Sequence, residues 1–151
     1  MTRLVHAIVM DARRTDVRRL KVCLDAVEGL RATLRLVAGD ASALDRLGSL
    51  RADVLFIDED LPRITGVEAI RALRSAGERR AIIATTRVDC GYLAADLVRA
   101  GADGYLAKRD LRPEVVGRVL ERAMMTARAR RRRDRAQRSA AQQIVEAQTT
   151  R

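Results

Sequence analysis

Asp58 closes a run of four apolar residues, Val54-Leu55-Phe56-Ile57, and Glu59-Asp60-Leu61-Pro62 follow it. Four apolar residues in a row read as a strand buried on both faces, as in a parallel sheet. An ionised carboxylate inside such a strand costs far too much to be incidental. At the strand's carboxyl end it escapes that cost by facing the crevice where open α/β sheets hold their chemistry. A carboxylate so placed can act as a nucleophile or help to hold a cation. Asp11 ends an earlier apolar run, Ile8-Val9-Met10, in the same way.

The rest of the chain supplies elements to position these groups. Strand-like and helix-like periods alternate five times. Strands are expected at 4–10, 32–37, 54–58, 81–85 and 104–107. Helices are expected at 15–28, 42–50, 65–75, 89–100 and from Pro113 onward. Thr65 with Glu68 makes a capping-box pattern, and Gly29 and Gly101 mark helix ends. Five βα units in series imply a doubly wound parallel sheet with helices on both faces, a three-layer sandwich. The flavodoxin-like order 2-1-3-4-5 suits this length, and its crevice lies beyond strands one and three. Asp11 and Asp58 are therefore expected to meet.

Composition narrows the function classes. The 151 residues carry a net charge of +10, but from Arg128 to Arg151 eight Arg face only Asp134 and Glu146, so the tail alone contributes +6. Cys23 and Cys90, placed on separate expected helices, and the lone His6 offer no zinc-ligand spacing; both thiols are expected to be buried and free. No signal peptide and no apolar run of membrane-spanning length appears, so a soluble, cytoplasmic chain is expected.

Beside Asp58 the spacings gather. Pro62 and Gly66 follow at +4 and +8, Thr86 ends the fourth strand, and Gly101-Ala-Asp-Gly-Tyr-Leu-Ala-Lys108 closes the fifth. Over about residues 4–125 this resembles the receiver (CheY-like) domain of bacterial two-component response regulators. The resemblance implies that Asp58 accepts a phosphoryl group from a histidine kinase or phosphotransfer protein. It implies that Lys108 binds the acyl phosphate, that Thr86 bonds a phosphoryl oxygen, and that Tyr105 rotates as a readout. The surface of the fourth helix, fifth strand and fifth helix would carry the signal, commonly to a second copy in a homodimer. Mg²⁺ would be held by Asp11, Asp58 and the backbone carbonyl of Asp60.

Three positions depart from the family pattern. The usual acidic pair after the first strand is here Asp11-Ala12, which removes a hard oxygen ligand and a charge, so weak Mg²⁺ binding is expected. Arg87 replaces a small residue after Thr86. It could obstruct the phosphodonor, pair with Asp58 in place of the metal, or point into solvent. Arg109 replaces the Pro after Lys108, so this peptide bond is expected to be trans. The chain thus reads as an atypical receiver of residues 1–126, with a basic helical extension or linker over 127–151. The alternative is a pseudo-receiver that acts by binding or dimerisation without phosphorylation.

Other classes fit less well. Asp58-Glu59-Asp60 matches the DxD of haloacid-dehalogenase phosphatases formally, but it lies on the third strand and lacks a late acidic pair, so enzymatic turnover is not expected. The Arg run could attract nucleic acid electrostatically. No helix-turn-helix or winged-helix unit follows, however, and a helical linker from Pro113 to Gln148 accounts for the run.

Overall fold

The structure, a computed structural model, describes residues 1–150. Its elements run β1 (Arg3–Met10), α1 (Arg14–Asp25), β2 (Leu30–Val37), α2 (Ala41–Leu47), β3 (Val54–Asp58), α3 (Gly66–Ser75), β4 (Ala81–Thr86), α4 (Gly91–Ala100), β5 (Gly104–Ala107), a 3-10 turn (Lys108–Asp110) and α5 (Pro113–Thr149). The sheet is parallel, in the order β2-β1-β3-β4-β5. This is the doubly wound sheet expected from the alternation of periods, in the CheY-like form that the resemblance implies, with the long C-terminal helix in place.

Strand periodicity decides which side chain faces which helix layer. Val5, Ala7, Val9, Val54, Phe56, Ala81, Ile83 and Leu106 pack with Leu20, Cys23 and Leu24 of α1 and Val116, Leu120 and Ala123 of α5. The alternate residues Ile8, Met10, Leu55, Ile57, Ile82 and Ala84 pack with α2, α3 and α4. Every residue of β3 and β4 is buried, so both faces of the central strands are covered. With one Phe and no Trp in the chain, this core is aliphatic. Each fully buried Val, Leu or Ile contributes roughly 1.5–3 kcal/mol.

The same parity sorts the groups at the carboxyl edge. Asp11, Asp58 and Lys108 fall in step with Val9, Phe56 and Leu106, on the α1/α5 side. Thr86 falls in step with Ile82 and Ala84, on the α4 side. Gly66 holds the loop after β3 in place. A Cβ there would meet the Glu59 Cα at 2.7 Å and the Asp58 carbonyl oxygen at 2.8 Å. The glycine lets the start of α3 press on the backbone that carries the key carboxylate.

The helix α5 crosses residue 126 without a break. Pro113 sits in its first turn, where a missing N–H costs nothing. Ala127 is buried. Arg130 then reaches back to the body, its Nη1 and Nη2 donating to Asp103 Oδ1 and Oδ2 at 2.8 and 2.9 Å. Asp103 also accepts from Arg74 Nη2 at 2.8 Å and from the Ile82 backbone N–H at 3.1 Å. Asp134 pairs with Arg79 at 3.0 Å. From Arg135 to Thr150 every residue is exposed. Cys90 corrects the expectation of two buried, helical thiols: it stands just ahead of α4 and is half-buried, whereas Cys23 is buried on α1.

Candidate phosphoryl-acceptor site

β3 delivers Asp58 to the carboxyl edge, and its side chain is almost fully buried. Lys108, the first residue after β5, is equally buried. Its Nζ donates to Asp58 Oδ2 at 2.9 Å, to Asp11 Oδ2 at 2.8 Å and to Asp16 Oδ2 at 2.9 Å. One ammonium, with three protons to give, thus satisfies three carboxylates. Asp11 is fixed further by the Arg13 backbone N–H at 2.9 Å on Oδ1. The backbone of Lys108 is held by Arg19, whose Nη2 donates to its carbonyl at 3.0 Å.

The electrostatics follow from burial and pairing. Burial pushes the Asp58 carboxyl up to about 6; the Lys108 hydrogen bond opposes this, and the nearby Asp11 charge reinforces it. At neutral pH Asp58 is therefore chiefly ionised, a carboxylate that burial has made costly and nucleophilic. Burial also works against the charge on Lys108, but the bonds from Asp11, Asp16 and Asp58 outweigh it and raise its pKa. For Asp16, burial is again the largest single influence and acts upward, yet Lys108 and Arg87 together bring the pKa down. The cluster is thus an ammonium among carboxylates.

Asp16 was not singled out from the sequence. It lies in the first turn of α1, where an acid ordinarily reads as a partner for the helix dipole. Its side chain is only 5% exposed, and its Oδ2 also accepts from Arg87 Nη2 at 3.0 Å. The Arg87 guanidinium is thus bonded to Asp16 rather than to Asp58, with its side chain part-exposed at the mouth of the site.

The other anticipated residues divide. Asp60 has an exposed side chain, and its backbone N–H lies 3.3 Å from Asp58 Oδ1. Glu59 turns away to cap α3, accepting from the Val67 N–H at 2.9 Å. Thr86 Oγ1 accepts from the Val88 N–H and donates to the Val88 carbonyl, both at 3.1 Å. Tyr105 donates its hydroxyl to that same carbonyl at 3.3 Å. Arg109 pairs with Asp89 on the surface, outside the carboxylate cluster. No cis peptide bond occurs among the described residues, so the Lys108–Arg109 bond is trans, as expected without Pro.

Comparisons with known proteins bear on the family and the fold. The family described as "Response regulator receiver domain" matches residues 7–120. The chain belongs to the response regulator receiver family. The receiver is 41% identical over 80 residues to the nitrate/nitrite response regulator protein NarP of Escherichia coli, covering 52% of this chain and 37% of that one. It is 34% identical over 87 residues to the response regulator MprA of Mycobacterium avium, covering 58% and 38%. It therefore spans less than half the length of these relatives. Among solved structures, the signal receiver domain of the putative response regulator NarL from Mycobacterium tuberculosis aligns with a TM-score of 0.66 at 24% identity, covering 79% of this chain and 95% of that one. A LuxR-family response regulator from Aurantimonas gives 0.70 at 19%, covering 82% and 87%.

Receivers generally bind Mg²⁺ at the phosphorylation site. In this one the donor set fits poorly. Asp11 and Asp58 offer hard oxygens, but Ala12 offers none, and the carboxylate oxygens converge on the Lys108 ammonium. Among the described residues no group of three or more acidic, His or Cys side chains is arranged to hold a metal ion. No helix of the described residues is long and apolar enough to cross a membrane.

Proposed function

We propose that this receiver works as a phospho-accepting switch, taking a phosphoryl group on Asp58 from a histidine kinase or a phosphotransfer protein. One observation carries the reading: a buried carboxylate at the end of β3 bonded to a buried ammonium at 2.9 Å. In the transfer, an Asp58 oxygen forms a bond to phosphorus as the bond from phosphorus to the donor breaks, and the electron pair leaves with the donor. With a phosphohistidine donor the leaving group is an imidazole. Lys108, already ionised and in contact, steadies the charge that accumulates on the phosphoryl oxygens. The chain acts as an acceptor and is not assigned turnover of its own.

Thr86 and Tyr105 are the proposed readout. Both bond the Val88 carbonyl, so drawing the Thr86 hydroxyl toward a phosphoryl group frees an acceptor that Tyr105 shares. The surface of α4, β5 and α5 would change with it. Residues 1–126 form the proposed receiver unit and 127–151 an extension, helical as far as Thr149, that transmits the change to a second copy or a downstream effector; Arg151 lies outside the described residues. Binding of Mg²⁺ is proposed to be weak for the reason given by Ala12.

Incubation with acetyl phosphate or a cognate kinase, read on Phos-tag gels against Asp58→Asn, tests the proposal. A shifted band in the wild-type chain alone supports it. A specific observation also favours the phosphorylation-independent reading: Lys108 already has three carboxylate partners. Failure of every donor to shift the band would decide for that reading.

A further inference from the structure

The Asp16–Arg87 pair has no part in the switch as described so far, yet it touches the site directly. The Asp16 Oδ2 atom that accepts from Arg87 at 3.0 Å also accepts from Lys108 at 2.9 Å. The guanidinium therefore stands within two hydrogen-bond lengths of the ammonium that contacts Asp58. Register keeps it there. Thr85 lies opposite Asp58 in the β3–β4 pairing, the Glu59 N–H donates to the Thr85 carbonyl at 2.8 Å, and Arg87 begins two residues beyond Thr85. The two ends of the pair differ in freedom: the Asp16 side chain is 5% exposed and that of Arg87 is 42% exposed. The carboxylate is the fixed end, and the guanidinium is the end able to move at the mouth.

The charge count asks for such a group. Asp11, Asp16 and Asp58 bring three negative charges, balanced by three positive from Lys108, Arg87 and the more distant Arg19, 3.9 Å from Asp16. Phosphorylation replaces the single charge of Asp58 with roughly two on the phosphoryl group. In a site where Ala12 leaves out a metal-binding carboxylate, the added charge needs a cation from elsewhere. A guanidinium presents a planar fork of donors that matches phosphoryl oxygens.

We propose that Arg87 is a phosphoryl-binding residue held in reserve by Asp16. Once Asp58 carries the phosphoryl group, the guanidinium exchanges the Asp16 carboxylate for the phosphoryl oxygens, and Lys108 remains paired with Asp16 as it turns toward the same group. The chain's own guanidinium thus supplies charge that a divalent cation would otherwise bring. This rests on Asp58 being the acceptor. It assigns Arg87 a binding role and Asp16 a positioning role.

The test measures phosphorylation of the full chain by acetyl phosphate across a series of Mg²⁺ concentrations, including excess EDTA. Wild type, Arg87→Ala, Arg87→Lys and Asp16→Asn are compared, with Asp58→Asn as blank. The wild-type rate is expected to depend only shallowly on Mg²⁺. Arg87→Ala should be about tenfold slower or worse in EDTA, with the gap closing as Mg²⁺ rises, and Arg87→Lys should fall between. Asp16→Asn, which frees the guanidinium, should be at least as fast as wild type in EDTA. Calorimetry gives a readout independent of transfer: Arg87→Ala should bind Mg²⁺ more tightly than wild type, because a competing cation has gone. Arg87→Ala within twofold of wild type at every Mg²⁺ concentration would overturn this proposal alone and leave the pair as a surface latch. No phosphorylation of wild type under any condition would overturn the acceptor reading and this proposal together.

Discussion

Replacing Asp58 with Asn should stabilise the folded chain, and by an amount that depends on pH in a defined way. In the folded state burial holds the Asp58 carboxyl at about 6, against 3.8 for an unperturbed Asp. A raised pKa means that the folded protein binds this proton more tightly than the unfolded chain does. Below about pH 4 the carboxyl is protonated in both states and contributes no penalty. Between pH 4 and pH 6 the unfolded chain gives up its proton first, and stability falls as pH rises. Above pH 6 the full penalty is present. A difference of roughly two units at 1.36 kcal/mol per unit makes it about 3 kcal/mol. Asn keeps an oxygen acceptor for Lys108 and cannot ionise, so it escapes the penalty. Urea denaturation followed by far-ultraviolet circular dichroism at intervals from pH 4 to pH 8 measures both chains. The advantage of Asp58→Asn should be near zero at pH 4, rise through pH 5 and level off at roughly 2–3 kcal/mol above pH 6.5. An Asn variant less stable than wild type at pH 7.5, or a difference that does not change with pH, would refute the reasoning.

Lys108→Met should cost more than 3 kcal/mol at pH 7.5, because it leaves three buried carboxylates without their shared cation; denaturation at pH 5 should recover part of the loss as Asp58 protonates. Arg130→Ala should lower stability by about 1–2 kcal/mol, since Arg74 still pairs with Asp103, and amide exchange should quicken beyond Ala127 while the rest of α5 is unchanged. Gly66→Ala should cost roughly 1–3 kcal/mol, since its methyl group meets the backbone of Asp58 and Glu59, and the thermal midpoint reads it directly.

The architecture was legible because its signals are local. Runs such as Val54–Ile57 and Ala81–Ala84 are apolar throughout, as strands covered on both faces must be, and the helices between them carry apolar residues at helical spacing. Once the strand order followed, the meeting of Asp11 and Asp58 followed as well, while Lys108 was placed at the site only by the family resemblance. Partners far apart in sequence were not legible. Asp16 and Arg87 are 71 positions apart, and nothing local separates an acid that caps a helix dipole from one that turns into a site. The Asp16 carboxylate that Arg87 holds was therefore not among the partners expected for it. Within the Arg run, composition alone does not tell Arg130 from its neighbours. A signal was present nonetheless: Val116, Leu120, Ala123 and Ala127 line the buried face of α5, and the same steps of three and four lead to Arg130 and Asp134, the two residues that reach the body. The extension is tied down by the continuation of a core stripe into charged residues.

Asp58 is the proposed phosphate acceptor. Intact-mass measurement of the full chain after incubation with acetyl phosphate, with peptide mapping to locate the adduct, tests it most directly. One added phosphoryl group is expected, on Asp58, and absent from Asp58→Asn. No adduct on the wild-type chain, or the same adduct on Asp58→Asn, would contradict it.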